Sequence, residues 1–121
     1  MITVTITKDQ LDRIQAFEMS GHADFAEHGK DLVCAGASAV SFGAVNAIIA
    51  LTGITPELLQ GDHGGYLQVL LPETSEKDDD IQLIVRTMIV SLQPIESDYW
   101  QNTKIIFKKP EVTHMHRFKP Q

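Results

Sequence analysis

The chain has 121 residues, 43% of them hydrophobic and 21% charged, which suits one soluble globular domain spanning 1–121. Its 16 acidic residues outnumber its 10 lysines and arginines, giving a net charge of −6. That balance argues against a nucleic-acid binder, which displaces counterions with surplus cations; an acidic surface would suit a basic partner, but the charge by itself favours the plainer reading that it keeps the protein soluble. The single cysteine excludes an internal disulfide and fits a reducing compartment. The opening Met1-Ile2-Thr3-Val4-Thr5-Ile6-Thr7 has no basic stretch or cleavage site of a secretory signal, so a cytoplasmic location is expected. The apolar run from Leu32 to Leu51 is interrupted by Ser38, Ser41, Asn46 and glycines. It reads as a core helix of a protein with no membrane partner.

Ile2, Val4 and Ile6 alternate with Thr3, Thr5 and Thr7, a period of two in β-branched residues that predicts a strand. Lys8-Asp9-Gln10 marks a turn, and Arg13 to Ser20, with Phe17 and Met19 on one face, predicts a second strand paired with the first as a hairpin. Gly21 to Lys30 is a loop. Asp31 is a good N-cap because its carboxylate accepts from orphan amides; the helix it starts runs from Leu32 to about Thr52 and stops at Gly53. Apolar and small residues lie nearly all round this helix, so burial is expected. Gly36, Ala37, Gly43, Ala44 and Ala47 would let another element approach closely, within the monomer or across a dimer.

Thr55 to Leu59 is ambiguous, since Pro56 sits badly in a central strand. Asp62-His63-Gly64-Gly65 is a turn, and Tyr66 to Leu71 a strand. Beyond the charged Glu73 to Asp80, Ile81, Ile84, Val85, Met88, Ile89 and Leu92 recur at helical spacing, with Pro94 near the end of the helix. Lys104 to Lys108 is the last strand. The order β-β-α-β-β-α-β predicts an α+β domain, two helices packed on a mostly antiparallel sheet.

Cys34 is the residue on which a chemical reading turns. With Asp31 as cap it is the third helical residue, where the partial positive charge of the helix start favours a thiolate. Backbone amides of the same turn could hold an oxyanion. A lone cysteine is also among the most buried and inert of residue types. His22, at a strand end in Gly21-His22-Ala23, is placed to meet the start of that helix, and a Cys–His pair activates a thiol. Spacing alone does not choose between His22 and His28. Asp31 either caps the helix or orients a histidine, and Ser38, four residues after Cys34, shares its helical face. His22, Asp24, His28, Asp31 and Cys34 also offer mixed metal ligands within thirteen positions, but match no common zinc spacing. His114 and His116 fall in a tail, and Asp62 and His63 serve their turn.

Gly21-His22-Ala23, then Gly29, then Asp31-Leu32-Val33-Cys34-Ala35-Gly36-Ala37-Ser38, resembles the ribosomal-processing cysteine protease family Prp. The likeness extends over essentially the whole chain; Gly36 and Ala37 stand where the family often has larger residues. The resemblance implies that His22, and not His28, is the catalytic histidine, that Cys34 is the nucleophile, and that Asp31 and Ser38 support the site. It implies a cysteine endopeptidase without cofactor or metal. The implied reaction removes the N-terminal extension of large-subunit ribosomal protein number twenty-seven, a basic substrate, by cutting after an aromatic residue in a short hydrophobic motif. It further implies a homodimer, and a loop between histidine and cysteine that rearranges on substrate binding. The rival expectations are a non-catalytic ribosome-associated peptide binder and a small metal-binding protein.

Overall fold

A computed structural model describes residues 1–23, 26–27, 31–61, 65–73 and 76–109. The β-branched opening forms β1 (Ile2–Lys8), and the chain turns back into β2 (Ile14–Ser20), antiparallel to it. The turn between them is held by the Asp9 carboxylate, which accepts from the amides of Leu11 at 2.8 Å and Arg13 at 3.0 Å. Then follow α1 (Leu32–Thr52), β3 (Glu57–Gln60), β4 (Tyr66–Leu70), α2 (Asp78–Asp98) and β5 (Thr103–Lys108). The expected element order is therefore found. The turn read at 62–65 and the histidine-bearing tail fall largely outside the described residues, as does His28.

The five strands form one sheet in the order β3-β4-β2-β1-β5. All neighbours are antiparallel except β5, which runs parallel to β1 and pairs Ile2 with Thr103 and Ile6 with Phe107. This parallel pair is invisible to local pattern, because it joins segments about a hundred residues apart. Ile2, Val4, Ile6, Phe17, Leu67 and Val69 lie on one face of the sheet and are at most 1% exposed. Both helices cover that face, α2 contributing Ile81, Val85, Met88, Ile89 and Leu92 to the same core. The strands' alternate residues, such as Thr3, Thr5 and Glu18, look away from it.

α1 has the bounds its caps predict. The Asp31 carboxylate accepts from the Cys34 amide at 2.9 Å, and Gly53 ends the helix in left-handed conformation, donating to the Ile49 carbonyl at 3.0 Å. The expected all-round burial is not found. Val33, Ala37, Ser41, Ala44, Val45, Ile48 and Thr52 are buried, whereas Leu32, Phe42, Ile49 and Leu51 are exposed. A two-layer domain has a sheet on only one side of each helix, so Leu32, Ile49 and Leu51 on the opposite side of α1 are left exposed among the described residues. Gly36 faces Ile95 of α2, while nothing lies within 4 Å of where a Cβ on Gly43 would stand.

α2 starts three residues before the apolar stripe and runs four past Pro94. Asp78, Asp79 and Asp80 in its first turn complement the helix dipole. Arg13 reaches Asp78 at 2.7 Å and the Pro72 carbonyl at 3.0 Å, and the Gln82 amide exchanges two 2.8 Å bonds with the Ile14 backbone. Beyond Pro94, Ile95 packs on the core and Glu96 accepts from the Ile105 amide at 2.7 Å, which holds the last turn in place. β3 begins only after Pro56, at the sheet's edge, where a proline before the strand costs no ladder bond.

Candidate active site

Gly21-His22-Ala23 leaves the end of β2 at the rim of the sheet. The chain is fixed on both sides of the histidine. The Gly21 amide donates to the Gly65 carbonyl at 2.8 Å. Gly21 has φ +88°, and a Cβ there would strike the Met1 carbonyl oxygen, so only glycine fits. Ala23 is 1% exposed, and its carbonyl accepts from the Asn102 side chain at 2.8 Å. His22 itself is exposed between these two anchors. Its ring lies against Gly65, where a Cβ would stand 2.7 Å from His22 Nε2 and 3.1 Å from Cε1. Gly65, at φ +74°, thus leaves the space the imidazole occupies.

Cys34 enters from α1. It is half-buried and packs partly on the core. Ser38 and Phe42, four and eight residues further on, share its helical face. The structure brings His22, Cys34 and Ser38 to one cavity of about 200 Å³. Ile2, Met19, Phe42 and Leu67 give it an apolar lining; Gln60, Gly61, Gly65 and Tyr66 complete its rim. Ser41, buried one helical turn beyond Ala37, donates to the Met19 sulfur at 3.7 Å and ties α1 to β2 beneath the cavity.

Asp31 stands at the mouth of the helix. Its carboxylate accepts from the amides of Cys34 at 2.9 Å and Ala26 at 3.4 Å, and its own carbonyl accepts from Ala35 at 2.9 Å. It is the helix cap, and it also ties the preceding loop to that cap. The expectation that first-turn amides serve an oxyanion is therefore narrowed: the Cys34 amide is occupied by Asp31. Leu32 and Val33 supply the remaining amides of the turn, which have no acceptor within the helix. Tyr66 donates its hydroxyl to Glu18 at 2.7 Å, and this bond, with burial and the negative charge of Glu18, raises the phenol above its ordinary pKa.

Sequence reasoning missed the β3–β4 contribution, Gln60, Gly61, Gly65 and Tyr66. The signal for Phe42 was present, since Cys34, Ser38 and Phe42 recur at intervals of four. The signal for Gly65 was not, because its requirement comes from a ring 43 positions away. Among the described residues no group of three or more His, Cys, Asp or Glu is arranged to hold a metal ion; Asp24 and His28 of the candidate set lie outside them.

A thiol at a helix start and an imidazole in one groove form the pairing that cysteine hydrolases use. Residues 1–104 match the family described as cysteine protease Prp. The chain is 50% identical over 107 residues to the ribosomal processing cysteine protease Prp of Bacillus subtilis, covering 87% of this chain and 96% of that protein. It is similar to the crystal structure of the S. aureus ribosomal processing protease Prp with a covalently linked product peptide, at a TM-score of 0.83 and 46% identity, over 89% of this chain and all of that one. The complex of the S. aureus protease with a substrate peptide matches at a TM-score of 0.77 and 45% identity, with the same coverage. The chain belongs to the Prp family of cysteine proteases.

Proposed function

We propose that this protease removes the N-terminal extension of large-subunit ribosomal protein number twenty-seven, cutting after an aromatic residue. The observation that carries the reading is the shared cavity of His22 and Cys34, lined by Ile2, Met19, Phe42 and Leu67. An apolar cavity beside the nucleophile suits an aromatic side chain next to the scissile bond. The relatives named for ribosomal processing support the substrate class, and the net charge of −6 suits a basic ribosomal protein.

In this mechanism His22 takes the Cys34 proton and the thiolate attacks the scissile carbonyl carbon. The Leu32 and Val33 amides face the developing oxyanion. His22 then protonates the leaving amine, and water, losing a proton to His22, hydrolyses the thioester and frees Cys34. Asp31 positions the helix start that carries Cys34, and Ser38 lies beside the thiol. In this reading the enzyme works in the cytoplasm as a homodimer; the exposed Leu32, Ile49 and Leu51 of α1 support the dimer, which sedimentation velocity tests.

The decisive experiment mixes the protein with the extended ribosomal protein and reads the products by mass spectrometry, alongside Cys34→Ala and His22→Ala. One cut after the aromatic residue, lost in both variants, is expected. Cleavage that survives Cys34→Ala would overturn the assignment, and tight binding without product would point to a peptide-binding protein instead.

A further inference from the structure

The sheet has two edges, and they are finished differently. At the β5 edge the Ile105 amide is already engaged by the Glu96 side chain at 2.7 Å, and Lys104 and Lys108 flank it. Charged side chains and occupied amides discourage a further strand. β3 is less guarded: Glu57 is its one charged residue, and it stands at the end of the strand away from Gln60 and Gly61. Its four residues, Glu57, Leu58, Leu59 and Gln60, are all exposed, and among the described residues no strand lies beyond it.

The hydrogen-bond phase of β3 follows from two bonds. The Gly61 amide donates to the Tyr66 carbonyl at 3.2 Å, and the Gly21 amide to the Gly65 carbonyl at 2.8 Å. Residues 66, 68 and 70 of the β4 segment therefore bond toward β3, and 65, 67 and 69 toward β2. In the β3–β4 register Leu59 faces Gln68 and Glu57 faces Leu70. Leu58 and Gln60 are then left with their N–H and C=O groups directed outward from the sheet. Their side chains share the sheet face of Val69 and Leu67, the face that α1 covers. Gln60 and Gly61 already line the cavity that holds Cys34 and His22.

We propose that the substrate binds as an extended strand added to β3, its backbone bonded to Leu58 and Gln60 and its alternate side chains delivered to the Cys34 cavity. This rests on the peptidase reading above and adds how the peptide is held. The occupant is an extended, apolar peptide segment. Leu58, 41% exposed, and Leu59, 57% exposed, offer apolar contact on opposite faces of the added strand. The continuity of the β3 edge with the cavity singles out the peptide rather than another element of the fold. In strand addition the main chain supplies affinity and alternate side chains supply selectivity.

The test uses Cys34→Ala protein, so that the peptide stays intact, and a fluorescent peptide spanning the N-terminal junction of the ribosomal protein. Backbone amides of the peptide are replaced one at a time by esters, which removes a donor and keeps each side chain. Every second ester should weaken binding about three- to tenfold, the loss of one hydrogen bond, with little change in between. Leu58→Pro in the same protein, which removes an outward amide and no β4 bond, should weaken it similarly, with circular dichroism reporting the fold. A flat response across the ester series overturns the proposal, and so does undiminished binding by folded Leu58→Pro protein. If the proline variant fails to fold, the ester series decides. Cleavage by wild-type protein is read in parallel. Cleavage with a flat ester series removes strand addition alone, and alternating binding without cleavage removes the peptidase reading alone. No binding by the unmodified peptide removes both.

Discussion

α1 and α2 are both 21 residues long and lie side by side on the same sheet face, yet they are built to opposite rules. α2 is amphipathic: Ile81, Val85, Met88, Ile89 and Leu92 point inward, Asp79, Asp80 and Arg86 outward, and Arg13 and Gln82 fasten its first turns to the hairpin. α1 has no charged residue, and three of its seven buried positions, Ala37, Ser41 and Ala44, are small. Of the two helices, α2 gives the core mainly large side chains, while α1 adds Val33, Val45 and Ile48 among small ones. Closeness comes from α1, whose small side chains bring the helix start, and with it Cys34, down to the sheet rim where His22 is held. The two helices thus divide stability from chemistry, and substitutions in each should separate the two.

The largest separation is expected at Cys34. Cys34→Ala should lower cleavage at least about a thousandfold, as loss of a covalent nucleophile does. The unfolding midpoint in urea should hardly move, because the site is half-buried and the change removes one sulfur. A large loss of stability would show that Cys34 is core first, and would break the division. The converse is Leu92→Ala in α2, a side chain with no exposure. Deleting it should cost about 2–5 kcal/mol by urea unfolding. In the fraction that remains folded, kcat should stay close to wild type, and a fall in kcat at low temperature would mean that α2 also shapes the site.

How much of this was legible follows the same line. β1 was readable because Ile2, Val4 and Ile6 alternate, and α1 because Asp31 and Gly53 punctuate it; both are local signals. The start of α2 at Asp78 was not, since Asp78 gains its place from Arg13, 65 positions earlier. Nor were the half-exposed α1, the parallel β1–β5 pair and the helical turn beyond Pro94, all settled by what packs alongside. At the site, a thiol three residues after a helix cap was legible, and so was a histidine at a strand end. The choice of His22 over His28 came from the family resemblance. The fit of His22 over Gly65 is a contact between distant loops and left no trace in either.

A smaller effect is expected at Asp31, where the two roles meet. Asp31→Ala removes the acceptor for the Cys34 amide and should cost about 1 kcal/mol, the usual loss of a helix cap. Cleavage should fall with it, because the first turn carries the nucleophile. Asp31→Asn caps equally well, so it should restore the urea midpoint. If activity returns too, Asp31 acts through the helix start. If stability returns while activity does not, and the pH profile of kcat/KM shifts, the carboxylate's charge acts on the Cys34–His22 pair.

The smallest effect, and opposite in sign, is expected at Gly43. A helix-interior glycine costs roughly 0.5–1 kcal/mol relative to alanine through its greater freedom in the unfolded chain. An added Cβ at Gly43 meets nothing within 4 Å, so Gly43→Ala should stabilise the isolated chain by about that amount. Gly36→Ala should behave likewise, since its Cβ would make an ordinary 3.5 Å contact with Ile95. The two positions differ in what they face: Gly36 looks at α2, Gly43 at solvent. If small residues on the outer side of α1 serve a second copy of the chain, Gly43→Ala should weaken self-association in sedimentation velocity and Gly36→Ala should not. Equal behaviour of both variants would confine the role of α1's small residues to the fit within one chain.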